Sequence, residues 1–266
     1  MEEILAFKGE DESNDRQFVN ALARGLEILR CFRPGEIYLT NTELAKRTGL
    51  PKPTISRLTH TLTRLGYLEY SEDQGRYQLG SGVLALGYSL LSGMDVRKLA
   101  RPAMQELADY SQCNVALGIR DRLSMVYIEA TRGQSAVTLR RDVGSRIPLA
   151  TTSMGRALLC ALPQNERDFL MDHIRLRNEE QWPKVKAGIE QAFRDFQDYG
   201  FCISVGEWEK TISAVGVPMI DANEEKVMAF NCGGPAFMLT REMLMEDLGP
   251  RLVAVVRSVE TSMGRH

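Results

Sequence analysis

At 266 residues the chain is long for one domain and comfortable for two, and a hydrophobic content of 44% is that of an ordinary globular protein rather than a disordered one. Its apolar runs, such as that around Val83 to Leu91, are too short and too broken by Gly and polar residues to span a bilayer, and the opening MEEILAFKGEDESND is acidic rather than a basic signal sequence, so a cytoplasmic protein with no membrane partner is expected. The formal net charge of −2 alone argues against nucleic acid, but residues 16–80 carry ten Lys/Arg against six Asp/Glu, while residues 1–15 carry one Lys against six acids.

Residues 1–15 read as a disordered tail, being acidic and poor in aliphatics. From Arg16 onward, Phe18, Leu22, Leu26, Leu29 and Phe32 recur at helical spacing and predict a helix packed under the next unit. That unit is TNTELAKRTGLPKPTISRLTHTLTRLGYL, Thr40 to Leu68. Thr40 and Glu43 form a capping box, with Leu44 and Ala45 facing inward. Gly49 supplies a left-handed stop, and a second helix starts at Pro51 to Thr54. Its predicted buried stripe is Ile55, Leu58, Leu62 and Leu65. The other face holds Lys52, Thr54, Ser56, Arg57 and His60, with Thr59 and Thr63 beside them. These donors and short hydroxyls suit phosphates and base edges in a major groove. A hairpin follows, Tyr67 to Tyr70 and Arg76 to Leu79 around Glu72-Asp73-Gln74-Gly75, with Arg76 near its tip. The reading for 16–80 is a winged helix-turn-helix binding a double-stranded DNA operator.

Residues 81–94 read as a linker helix, Ser81 to Ser92, with more apolar surface than a small domain can cover. The surplus predicts pairing with a second copy, hence a homo-oligomer on an inverted-repeat operator. Residues 95–266 predict an α+β domain. Asp95 is an expected N-cap, and Val96 to Ser111 an amphipathic helix that Pro102 should kink or open. Strands are expected at Val115 to Ile119, Met125 to Ala130 and Val137 to Arg141, the first two joined at Asp121-Arg122. Thr151-Thr152-Ser153 caps a helix over Met154 to Leu162, followed by helices at Glu166 to Ile174 and Pro183 to Tyr199, the latter stopped by Gly200. Strands at Phe201 to Val205, Ile212 to Ile220 and Lys226 to Cys232 and a helix from Thr240 to about Ser262 complete an antiparallel sheet with helices packed on it.

Five cysteines, an odd number and irregularly spaced, suit reduced thiols, and neither a metal nor a cofactor is expected from them and three scattered histidines. Asn231-Cys232-Gly233-Gly234 is the nearest thing to a nucleophile motif, with His173 as its only available base. A buried strand-end cysteine fits the pattern better, and no enzyme is expected. Two classes therefore stay open: a DNA-binding regulator with an α+β sensor domain, and an effector-independent DNA binder or an enzyme using Cys232.

The stretches RQFVNALARGLEIL, ELAKRTGLPKPTISRLTHTLTRLGYL, GSRIPLATTSMGRALLCALP and YGFCISVGEWEKTISAVGVPMIDANEEKVMAFNCGGP resemble the IclR family of bacterial transcriptional regulators. VNALARGLEIL with SRIPLATTSMGR is most similar to the branch controlling aromatic-acid and β-ketoadipate catabolism, although that branch usually shows an acidic, glutamine-rich D-Q-E-L-E where this chain has Ser204-Val205-Gly206-Glu207-Trp208-Glu209. The resemblance implies a dimer or tetramer that pairs the winged helix-turn-helix with a GAF-like domain binding a small organic acid. Carried onto this chain, the family's effector pocket falls on Leu139, Ile147, Ser153, Met154, Ser204, Ile212, Ala214, Asn231 and Gly233. Independently, the free N–H groups at the start of the Met154 helix are a natural seat for a carboxylate.

Overall fold

A computed structural model of the chain describes residues 17–134, 141–221 and 226–264, and the chain divides after Gly93 into two compact units. The expected tail and Leu139 lie outside the described residues. Among the described residues no helix is long and apolar enough to cross a membrane.

The first unit comprises α1 (Asn20–Arg30), α2 (Asn41–Thr48), α3 (Lys52–Arg64), β1 (Leu68–Ser71), β2 (Arg76–Leu79) and α4 (Ser81–Ser92). The capping box forms: Thr40 Oγ1 accepts from the Glu43 N–H at 3.2 Å, and the Thr40 N–H donates to Glu43 Oε2 at 2.7 Å. The hydrogen bond from the Thr40 backbone, with that from its hydroxyl, lowers the Glu43 pKa. Gly49 closes α2 at φ 70°, a conformation that costs a glycine no Cβ clash. β1 and β2 pair antiparallel from Leu68↔Leu79 to Ser71↔Arg76. A core of Ile28, Cys31, Leu39, Leu44, Ile55, Leu62, Leu68 and Tyr77 ties the helices to this hairpin.

Two helix faces differ from expectation. On α1 it is Gly25 and Ile28, continued by Cys31, that turn inward, whereas Leu22 and Leu26 remain 63% and 51% exposed. Of the expected stripe, Leu29 and Phe32 do pack against the core beside this row, while Leu22 and Leu26 lie outside it. On α3, Leu65 is the C-cap and is 63% exposed, while Thr59 is fully buried. Its hydroxyl donates to the Ile55 carbonyl at 2.9 Å, which removes the penalty of burying it.

The second unit comprises α5 (Asp95–Ser111), β3 (Asn114–Asp121), β4 (Ser124–Arg132), β5 (Arg146–Pro148), α6 (Ser153–Ala161), α7 (Gln164–Arg177), α8 (Trp182–Tyr199), β6 (Cys202–Val205), β7 (Ile212–Asp221), β8 (Lys226–Pro235), α9 (Arg241–Met243) and α10 (Gly249–Ser262). The six strands form one antiparallel sheet in the order β5-β4-β3-β8-β7-β6. Helix α6 packs on one face, against β7 and β8; α5 and α10 cover the other. The α6 face is built from small residues. A Cβ on Gly216 would stand 2.4 Å from the Ser153 carbonyl oxygen, so only glycine lets α6 approach β7 this closely.

Several boundaries move. Met94 rather than Asp95 is the N-cap of α5; Asp95 lies in the first turn and pairs with Lys98 at 3.0 Å. The helix continues through Pro102, which removes one backbone hydrogen bond without ending it. The hairpin turn is Arg122-Leu123, with Arg122 at φ 57°. Of the strand expected at Val137 to Arg141, residues 137–140 fall outside the described residues and Arg141 is irregular; the strand beyond β4 is β5. α7 runs longer than expected, to Arg177. Thr240 caps only α9, and a π turn at Leu244–Leu248 separates it from α10. Pro250 has no N–H to continue an i→i−4 ladder, which accounts for the interruption.

Candidate nucleic-acid interface and ligand pocket

Helix α3 presents one buried and one exposed face. Ile55, Thr59 and Leu62 are buried, while Lys52, Ser56, Arg57 and His60 are exposed and Thr54 is half-buried at the first turn. Ser56 Oγ accepts from Asn41 Nδ2 at 3.4 Å, a contact that fixes α3 against the start of α2. Arg76 is exposed on the first residue after the β1–β2 turn. Arg47, by contrast, forks onto Glu36 and donates to the Cys31 carbonyl at 2.7 Å, so this cation braces the unit internally.

In the second unit a small, partly open pocket lies between the N-terminus of α6 and the sheet. Ile147, Ser153, Ser204, Ile212, Ala214, Asn231 and Gly233 line it, joined by Asn114, Tyr127, Thr152 and Trp208. Thr152 caps α6 by accepting from the Gly155 N–H at 3.2 Å, and its hydroxyl donates to the Pro148 carbonyl. The N–H groups of Ser153 and Met154 have no acceptor within their own helix and carry the positive end of its dipole. Ser204 Oγ donates to the Thr151 carbonyl at 3.0 Å, so β6 holds the loop that leads into this cap. Asn231 Nδ2 donates to the Tyr127 hydroxyl at 3.2 Å. Burial pushes the Tyr127 pKa up to about 12, against the opposing effect of that hydrogen bond. Ser153 Oγ and Asn231 Oδ1, both buried, have no hydrogen-bond partner among the described residues. Each is a buried polar group that a molecule bound in the pocket could satisfy.

Met154 is the one described residue of the expected set that turns elsewhere. It is fully buried, and its sulfur packs against Gly118 on β3 rather than into the cavity. Asn114 and Tyr127 are not marked by any spacing and enter through strand pairing, while Thr152 enters through the cap read from the sequence. Trp208 lies in the β6–β7 loop, which two arginines hold. Arg156 on α6, 2% exposed, forks onto Glu207 at 2.7 and 2.6 Å. Arg141 reaches Glu209 at 3.0 Å and stacks 5.0 Å over the Trp208 ring.

Cys232 is fully buried on β8, 3.6 Å from Ser111 Oγ. Its hydrogen bond with Cys113, together with burial, holds its pKa well above the usual thiol range. His173 bonds the Phe169 carbonyl within α7 and stacks on that ring. This is the environment of a packing thiol rather than of an activated nucleophile.

The IclR helix-turn-helix domain model matches residues 21–72, and the model of the bacterial transcriptional regulator IclR C-terminal matches residues 88–261. The chain is 35% identical to the HTH-type transcriptional regulator TsaQ1/TsaQ2 of Comamonas testosteroni, over 92% of this chain and 88% of that one. It is 29% identical to the Pca regulon regulatory protein of Pseudomonas putida, over 96% and 86%. An IclR family transcriptional regulator from Brucella abortus superposes with a TM-score of 0.89 at 51% identity, covering 97% of this chain and 98% of that one. An IclR homolog from Microbacterium hydrocarbonoxydans, complexed with 4-hydroxybenzoate, shares the fold with a TM-score of 0.66 at 20% identity, covering 91% and 99%. The chain therefore belongs to the IclR family of bacterial transcriptional regulators, and its relatives include regulators of the aromatic-acid branch.

Proposed function

We propose that this regulator is a ligand-responsive DNA-binding protein of the cytoplasm, which reads an inverted-repeat operator as a dimer or tetramer and changes its grip when a small organic acid fills the α6 pocket. The observation that carries the reading is the pocket: a capped helix N-terminus meets Ser153 and Asn231, whose Oγ and Oδ1 have no partner among the described residues, in a cavity whose described lining residues carry no charge. A helix N-terminus favours a carboxylate without a cationic side chain. Tyr127, Trp208, Ile147 and Ile212 give it an apolar wall, which suits an aromatic acid better than a sugar or nucleotide. The 4-hydroxybenzoate held by the Microbacterium homolog is an acid of this class. Gel-shift titration of operator DNA with a panel of aromatic and dicarboxylic acids tests the reading. One acid should change the footprint and be recovered unaltered; turnover of that acid would favour an enzyme, and indifference to every acid an effector-independent binder.

On the DNA side, Lys52, Thr54, Ser56, Arg57, His60 and Arg76 form the proposed contact set. Arg57→Ala should weaken operator binding by about 1–3 kcal/mol and relax specificity at one position if it reads a base, whereas Lys52→Ala should weaken all sequences alike and flatten the salt dependence. Fluorescence anisotropy on operator and scrambled duplexes distinguishes the two, and unchanged affinity in both variants would remove α3 from the interface.

Assembly is expected through α4. None of its residues is buried, and Leu84, Leu86, Tyr88 and Leu90 are all more than half exposed, an apolar surface that an isolated subunit would leave in water. Sedimentation at micromolar concentration should show a dimer or larger species, and Leu84→Glu with Leu90→Glu should shift it toward monomer. A wild-type monomer would contradict the assignment.

A further inference from the structure

The five cysteines are not equivalent. Four are buried, and Cys160, near the end of α6, is the one that is partly exposed. It opens onto a surface groove between α6, α7 and α8, lined also by Gln164, Arg167, Asp168 and Phe193. Directly behind it, the Cys202 sulfur at the start of β6 lies 3.6 Å from the Cys160 sulfur. Both thiols point at the same acceptor, the Ala192 carbonyl, at 3.8 Å from Cys160 and 3.5 Å from Cys202, so the two sulfurs are held side by side rather than meeting by chance rotation. A disulfide requires a separation of about 2.05 Å, reached by a small approach of two side chains already in contact.

We propose that Cys160 and Cys202 form a reversible intramolecular disulfide, with Cys160 the site of attack by a hydroperoxide entering the groove and Cys202 the resolving thiol. The Cys160 thiolate attacks one peroxide oxygen, the O–O bond breaks, and hydroxide leaves, giving a sulfenic acid. The Cys202 sulfur then attacks the Cys160 sulfur; the S–S bond forms, the S–O bond breaks, and the hydroxide released takes the Cys202 proton as water. Two thiols are oxidised by two electrons, and one hydrogen peroxide is reduced to two waters. Cys113, just before β3, and Cys232 on β8 also interact, but both are buried, which makes them an internal control. The crosslink would fasten the last turn of α6 to β6. Cys202 lies on the same strand face as Ser204, which lines the ligand pocket, so the bond joins two elements that form it.

The test exposes the full-length chain to hydrogen peroxide, alkylates remaining thiols under denaturing conditions, and maps peptides before and after dithiothreitol. Two of the five thiols should become unavailable to alkylation, as one linked Cys160–Cys202 peptide pair that reductant restores. Cys160→Ser should leave Cys202 fully alkylatable, and Cys202→Ala should leave a sulfenic acid at Cys160 that dimedone traps. Circular dichroism on both variants confirms that they fold. Three results overturn the proposal: Cys160 and Cys202 staying reduced, Cys160 passing to sulfinic acid in the unmutated chain without ever pairing, or a disulfide that joins two chains on a non-reducing gel.

Discussion

Replacing Arg156 with methionine should destabilise the second unit by about 3 kcal/mol, read as a fall in its urea midpoint with an unchanged slope. The guanidinium is 2% exposed and spends its donors on three acceptors, the Ala150 carbonyl at 2.9 Å and both oxygens of Glu207. Methionine fills much of the volume, so the loss measures broken charge pairing rather than an empty cavity. Glu207 keeps 30% of its side chain in solvent and can rehydrate, which places the expected cost at the lower end of the range for a broken buried pair. The double variant Arg156→Met, Glu207→Leu should recover part of the loss, because no carboxylate is then left without its partner. A single-variant loss below about 0.5 kcal/mol, the range of ordinary surface changes, would show that the pair does not hold α6 to the β6–β7 loop.

Ala214→Trp should abolish the effector response and leave effector-free operator binding intact. Ala214 is 8% exposed and its methyl faces the pocket beside Gly233, so an indole there occupies the space a ligand ring would take. Thermal shift is the direct readout. A ligand that binds only the folded state at one hundred times its Kd raises stability by about 2.7 kcal/mol, and that increment should vanish in the variant. The acid must also prefer one arrangement of the two units if it is to change DNA affinity, so loss of binding and loss of release should go together. A variant that still binds and responds would place the effector elsewhere.

What could be read from the chain beforehand was whatever depends on neighbours in sequence. Thr40 with Glu43, Gly49 at the end of α2, and Thr152 at the start of α6 each obey a rule that spans three or four residues, and each forms as expected. The inner face of α3 was legible at Ile55 and Leu62 but not at Thr59, because a hydroxyl that bonds its own helix carbonyl becomes compatible with a core. α1 misled because helical spacing reports an apolar stripe without saying how far along it a partner extends; Leu22 and Leu26 lie beyond that reach. In the pocket, Ser204, Ala214 and Asn231 came from family resemblance. Tyr127 and Asn114 depend on β3, β4 and β8 meeting in one register, a long-range pairing that no local pattern encodes. The Arg156–Glu207 fork joins residues 51 apart and leaves no trace in spacing.

The lining of the pocket also decides who sets the acidity scale of the response. Among its described residues Tyr127 is the only side chain that can gain or lose a proton in water, and at a pKa of about 12 its hydroxyl stays protonated throughout the range in which cells live. The described lining is therefore chemically constant from mildly acidic to mildly alkaline conditions, and helix dipoles do not titrate. If the proposed acid binds here, the pH dependence contributed by these described lining residues should be small, and the ionised fraction of the acid should set most of the rest.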